Sequence, residues 1–571
     1  MKKGWLVIAI IIICLILISY SIGYKADKDH EFVGGSKIEY INLSEDKVDD
    51  LVLLGKIWGY LKYYHPNVAA GKYNWDYELF RILPDYLDAN TPNEIDKILL
   101  TWIDDLGKFE LVDPEKERPG EIKMSPNLDW ISNSSLSTDL ILKLSDIKNA
   151  KRTSKHYYVD LAMGVGNPQF KNEGSYSSTQ YPDAGYRLLS LYRYWNIIEY
   201  YFPYKYLIDD NWDDVLHEFI PKLIEASDEL EYKLSILELV TRVKDTHANV
   251  WDNTLENHWG EYYAPLEITF VEDKAIVTDY HDIQLGEASG LKIGDIITRV
   301  NGKSVEEIIN ERLKYTPASN YPTQIRNIAA NLLRGNTTYL KIEYIRDEKV
   351  DAIDILCYSS EEMTIENRFQ KNKDYFKRIS PEIAYIYMGA LKSKDIPDIM
   401  EEIKDTNGLV IDLRSYPLEF AVFKLGEYLM PQGTDFVKFS NGSITDPGLF
   451  TMTNTLKVGK ENKDYYKGKV VILVNELTLS QAEYTAMAFR VAPRATVIGS
   501  TTAGADGNVS TFNLPGGITT AISGIGVYYP DGGETQRIGI VPDIEVKPTI
   551  EGIKSNRDEL LEKAIEVINQ Q

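Results

Sequence analysis

Residues 470–507 read VVILVNELTLSQAEYTAMAFRVAPRATVIGSTTAGADG. An apolar strand-like run ends in Asn475-Glu476, a short turn follows, and an amphipathic segment opens at Ser480. Strand, turn and helix in that order predict an α/β unit with a mostly parallel sheet. Upstream, IAYIYMG and GLVIDLRSYP are further short buried-strand candidates, and NRDELLEKAIEVINQ closes the chain as a helix. Ser480 admits two readings. At a helix start its Oγ lies near unpaired backbone N–H groups that can hold an oxyanion. Ser480-x-x-Glu483 is equally a capping box that serves helix stability alone, and Thr478-x-x-Gln481 offers a competing box.

Preceding this unit, residues 262–355 alternate in a β-rich pattern. GLKIGDIITRVNGKSV contains Asn301-Gly302, a strong tight-turn pair. Further upstream, LVLLGKIWGYLKYYHP and NWDYELFRILPDYL carry apolar residues at helical spacing and stop near prolines. The pattern returns 137 residues later: Trp58, Tyr63, Pro66, Trp75 and Pro84 correspond to Trp195, Tyr200, Pro203, Trp212 and Pro221. A constant offset implies an internal duplication. The copies differ at one telling place, where Asp245-Thr246-His247 falls opposite Lys108-Phe109-Glu110. Residues 112–185, rich in Ser, Asn and Asp, read as a connecting region that packs on the helices.

At the N-terminus, Lys2-Lys3 precede an apolar run from Trp5 to Tyr24, long enough for a spanning helix of roughly 20 residues. A cleaved signal peptide is the alternative, against which stand the long apolar core and the missing A-x-A site. With the lysines inside, the rest of the chain lies outside the cytoplasm. The formal charge of −24 over 571 residues argues against nucleic-acid partners. Cys14 sits in the apolar run, so it makes no pair with Cys357, and no HExxH motif occurs. No catalytic metal and no cofactor are therefore expected.

From about residue 185 to 550 the chain resembles the tricorn-core and C-terminal-processing serine peptidases. The resemblance rests on GLKIGD, VIDLR, VNELTLSQAE, RATVIGSTTAG and GIVPDIEV, in the family's order. It implies a multidomain α+β protein with a PDZ-like domain and a ClpP/crotonase-like α/β catalytic domain. Ser480 would be the nucleophile. One branch of the family uses a lysine in a TxGKG-like loop, where this chain has Thr502-Ala503-Gly504-Ala505. The other uses a histidine after a hydroxyl residue, which Thr246-His247 fits. The resemblance further assigns a carboxylate to the segment before GIVPD, Glu534 or in its place Gln536. It assigns oxyanion N–H groups to Gln481 and Tyr416, although Ser415-Tyr416-Pro417 replaces the usual glycine-rich turn. The implied partner is a polypeptide substrate, held by its C-terminus in the PDZ-like domain, with the membrane reached through the N-terminal helix.

The resulting division is 1–24 anchor, 25–111 first helical copy, 112–185 connection, 186–260 second copy carrying His247, 261–360 PDZ-like domain and 375–571 peptidase domain. An alternative reading keeps the same fold as a weakly active or inactive scaffold.

Overall fold

The computed structural model describes residues 24–112, 120–133, 136–365 and 373–570. The expected membrane helix thus falls outside the described residues except for Tyr24, as does Cys14. Among the described residues no helix is long and apolar enough to cross a membrane.

The segment around Ser480 lies in a six-stranded sheet. Its strands run in the order Phe376–Ser380, Ile383–Tyr387, Gly408–Asp412, Lys469–Val474, Ala495–Gly499 and Ile544–Glu545. All neighbours are parallel except the first pair. Strands buried on both faces need continuous apolar sequence, and VVILV supplies it. Helices Ile396–Ile403, Val422–Leu429 and Gln481–Phe489 cover one face, while Glu559–Asn569 covers the other. Such a sheet presents its strand ends, and hence the turn after Val474, at one edge of the domain.

Two further sheets flank this core. Thr434–Gly442 pairs with Phe450–Met452, Leu456–Val458 and Gly526–Tyr528. The hairpin Val509–Leu514/Ile518–Ser523 takes Val250–Trp251 as a third strand. That short strand brings the segment just after His247 onto the domain that carries Ser480. The connecting region does more than pack on helices: Ile122–Met124 pairs with Phe450–Met452 and extends the first of these sheets.

The module at 262–356 is an antiparallel sheet in the order Lys349–Leu356, Tyr339–Arg346, Ile296–Val300, Lys274–Tyr280 and Leu266–Val271. Asn301 and Gly302 both have positive φ (50° and 83°), as the tight turn requires.

The duplicated sequence builds two helical units with the same internal bonds. Trp58 Nε1–H donates to the Trp75 carbonyl (3.0 Å) and Trp75 Nε1–H to that of Trp58 (2.9 Å). Trp195 and Trp212 repeat the exchange at 2.7 and 3.1 Å. The copies also grip each other reciprocally. Lys56 pairs with Asp213 (2.8 Å), and the residues at the matching positions, Arg193 and Asp76, pair at 2.6 Å. Helices Glu45–Tyr64 and Ala184–Tyr201 approach closely because Gly55 and Gly59 leave room for Tyr192 and Asn196. A Cβ on Gly59 would lie 1.7 Å from Asn196 Oδ1. Glu173, from the connecting region, ion-pairs with buried Lys62 (2.7 Å) and buried Arg193 (2.8 Å).

Trp75 is fully buried, stacked 4.9 Å from Trp102. Trp75→Ala is expected to cost about 3–5 kcal/mol, through lost apolar burial and a cavity. Glu110 is exposed and pairs with exposed Lys151, so Glu110→Gln should change stability little. Melting curves of both variants test this; a Trp75→Ala midpoint equal to the parent's would remove the first copy from the load of the fold.

Candidate active site

Ser480 occupies the N-cap of helix Gln481–Phe489 with φ 56° and ψ −117°. A non-glycine residue there stores about 1–3 kcal/mol of backbone strain, a feature concentrated at functional sites. The conformation is held from both sides. Ser480 N–H donates to the Ala505 carbonyl (3.0 Å) and to Glu483 Oε2 (3.2 Å). Thr478 does not cap this helix: its hydroxyl donates to the Leu413 carbonyl (2.8 Å) and accepts from Asn475 N–H (3.0 Å). It ties the turn to the end of the neighbouring strand, leaving Ser480 at the helix start.

The capping-box carboxylate also has a larger part than sequence suggested. Buried Glu483 accepts from Thr502 Oγ1, Gly504 N–H (2.7 Å) and Ala505 N–H (3.0 Å), and so fixes the loop beside the serine. Asp506 follows in that loop, buried, with Thr535 Oγ1 at 3.0 Å from Oδ1. Burial and the charge of Glu483 push the Asp506 carboxyl well above the usual carboxylate range. Burial raises the Glu483 carboxyl too, but four hydrogen-bond donors oppose that rise.

The segment carrying His247 reaches the same loop through the preceding residue. That residue, Thr246, donates to the Ala503 carbonyl (2.8 Å) and accepts from Ser319 N–H (2.9 Å). Thr246 therefore joins the helical copy, the β-module and the loop after Gly499. The His247 ring bonds through Nδ1 to Ser523 Oγ (2.9 Å). Ser523 donates its hydroxyl to Asp245 Oδ1 (2.9 Å) and its N–H to Asp245 Oδ2 (2.6 Å). With the serine proton committed to the carboxylate, Ser523 Oγ can only accept from the ring. This fixes the proton on Nδ1 and leaves Nε2 with a free lone pair. Nε2 is buried and makes no hydrogen bond. Burial holds the His247 pKa below its ordinary 6.5, while Asp245 acts in the opposite direction. The ring is thus neutral at pH 7.

Glu534 lies elsewhere. Its carboxylate takes Lys123 (2.8 Å) and the Tyr206 hydroxyl (2.7 Å), and makes no bond to His247. The reason is the strand Ile122–Met124, which brings a cation to Glu534 from the connecting region. Gln536 is buried near the relay instead, donating to Asp245 Oδ1 at 3.2 Å. Sequence reading gave no role to Asp245 or Ser523; the D-T-H spacing was the available signal for the first, since His247 N–H also bonds Asp245 Oδ1 (3.1 Å).

Ser480, Gln481 and Tyr416 line one cavity of about 850 Å³. Gln481 N–H is the first of its helix and has no partner within it. Tyr416 keeps an N–H that Pro417 lacks. Ser415 is fully buried beside it, its hydroxyl unpartnered.

Residues 382–546 match Peptidase family S41. A probable CtpA-like serine protease of Staphylococcus aureus (strain bovine RF122 / ET3-1) is 24% identical over 341 residues, 56% of this chain. The match spans 61% of that relative's length. Among solved structures, a CPAF mutant superposes with a TM-score of 0.55 at 11% identity, covering 68% of this chain and 98% of CPAF. Mature CPAF complexed with lactacystin gives 0.52 at 12% identity, covering 67% and 98%. At such identities the likeness is one of fold. The strand–turn–helix carrying Ser480 thus lies inside the segment, residues 382–546, that matches Peptidase family S41.

Proposed function

We propose that this chain is a serine endopeptidase that cleaves extended polypeptides through an acyl-enzyme on Ser480, with His247 as base. The observation that carries the reading is the Asp245–Ser523–His247 chain of bonds, which leaves Nε2 unprotonated on the residue next to Thr246, itself bonded to the loop that holds Ser480. In this scheme Ser480 Oγ attacks the scissile carbonyl and its proton passes to His247 Nε2. The N–H groups of Gln481 and Tyr416 receive the oxyanion. The imidazolium then protonates the leaving amine, and water releases the acyl group by the same route in reverse. Thr246 positions the histidine, and Gln536 takes the place that Glu534 was expected to fill.

The β-module at 261–360 is read as a PDZ-like domain that takes a chain end at the edge strand Leu266–Val271. The further reading of the working domain as lying outside the cytoplasm, anchored to the membrane, is supported by Lys2-Lys3 and the apolar run that follows them. The scaffold reading has one observation in its favour: Nε2 makes no hydrogen bond to Ser480. Catalytic hydrogen bonds often close only when substrate arrives, so the peptidase reading stands first.

Incubation of the purified chain with an unfolded protein such as reduced casein tests the proposal. Internal cleavage that persists in EDTA is expected. Intact casein after prolonged incubation would favour the scaffold.

A further inference from the structure

The connecting region contains a hairpin, Val159–Leu161 paired with Pro168–Phe170, whose tip is Ala162-Met163-Gly164-Val165-Gly166. This hairpin lies outside the peptidase-family segment, yet Gly164 and Val165 line the same cavity as Ser480. The cavity also gathers exposed apolar side chains: Phe420, Phe423, Leu456 and Val509 line it along with Val165. Apolar groups left open around one concavity mark a binding surface rather than ordinary surface scatter. Met163, next to Gly164, is 100% exposed and has no packing duty within the chain.

The tip is held in place. Asn167 Nδ2 donates to the Val509 carbonyl and Ser510 Oγ, both at 3.1 Å. Phe170 meets the Phe512 ring at 5.2 Å. The turn closes through Gly166 N–H to the Ala162 carbonyl (2.8 Å), with Gly164 and Gly166 at φ 79° and 90°. A Cβ on Gly166 would come within 2.9 Å of Asn441 Oδ1, so the turn is seated against the sheet that lines the cavity. An anchored turn costs little ordering when a ligand arrives.

We propose that this hairpin tip is a wall of the substrate cleft, and that Met163 and Val165 select polypeptides with large apolar side chains flanking the scissile bond. The inference rests on the reading of Ser480 as nucleophile for its link to cleavage, but its test can be run on binding alone. Loss of one apolar contact surface changes discrimination by about tenfold or more.

The test compares Ser480→Ala chain with Ser480→Ala chain that also carries Met163→Ser and Val165→Ser. Dissociation constants are measured by fluorescence anisotropy for two labelled peptides, one rich in Leu and Phe and its serine-substituted counterpart. The expected result is about tenfold weaker binding of the apolar peptide to the hairpin variant, with the gap between the two peptides correspondingly narrowed. Equal preference for the apolar peptide in both chains would overturn the proposal. Failure of the nucleophile reading would show separately, as absence of casein cleavage by the chain with Ser480 intact.

Discussion

Ser480→Ala should abolish polypeptide hydrolysis, leaving at most the residual turnover that binding and oxyanion donors supply, while the melting midpoint moves little. Removing a nucleophile from a cooperating set costs about as much as removing the whole set, on the order of 10⁶ in kcat in a well-studied serine protease. Stability should change only modestly, because the backbone around Ser480 is fixed by its N–H and by Glu483 rather than by its hydroxyl. Alanine at φ 56° keeps the strain, so any loss of cap energy, about 1 kcal/mol, sets the scale of the change. Casein cleavage and thermal melting, measured on the same preparation, check both halves. Retained cleavage in the variant would move the nucleophile elsewhere.

His247→Ala should cost several powers of ten in kcat/KM for the same cooperative reason. Asp245→Asn gives a finer test, since it leaves the ring in place. The active form of the base is neutral, so rate rises with pH through the His247 pKa and is flat above it. Burial already sets that pKa below 6.5, so activity should be level around pH 7 and fall only on acidification. Asp245 raises the pKa, so its neutralisation should move the acid limb to still lower pH while reducing the plateau. The plateau falls because Asn can donate to Ser523 Oγ, which frees the serine proton for Nδ1 and puts the ring proton on Nε2. An acid limb that moves upward in Asp245→Asn would contradict this electrostatic account.

What the sequence disclosed, and what it did not, follows from the range of the interactions. The strand–turn–helix at Ser480 is local, and its apolar run and turn residues were readable directly. The duplicated tryptophans were readable because each reciprocal Trp pair spans only 17 residues, so the motif repeats intact. The relay is different. Asp245 and Ser523 are 278 residues apart, and no periodicity links them. Glu534 was chosen as the carboxylate nearest the expected position, but Lys123, 411 residues earlier, takes it away through an added strand. The hairpin tip at 162–166 was likewise illegible, because its meaning comes only from the sheet on which it sits.

The most direct measurement is to label the intact chain with a fluorophosphonate and map the adduct by peptide mass spectrometry. A single phosphonylated site at Ser480, lost on His247→Ala, is the predicted result. A chain that stays unlabelled, or carries its adduct on another residue, would contradict the assignment of Ser480 as an activated nucleophile.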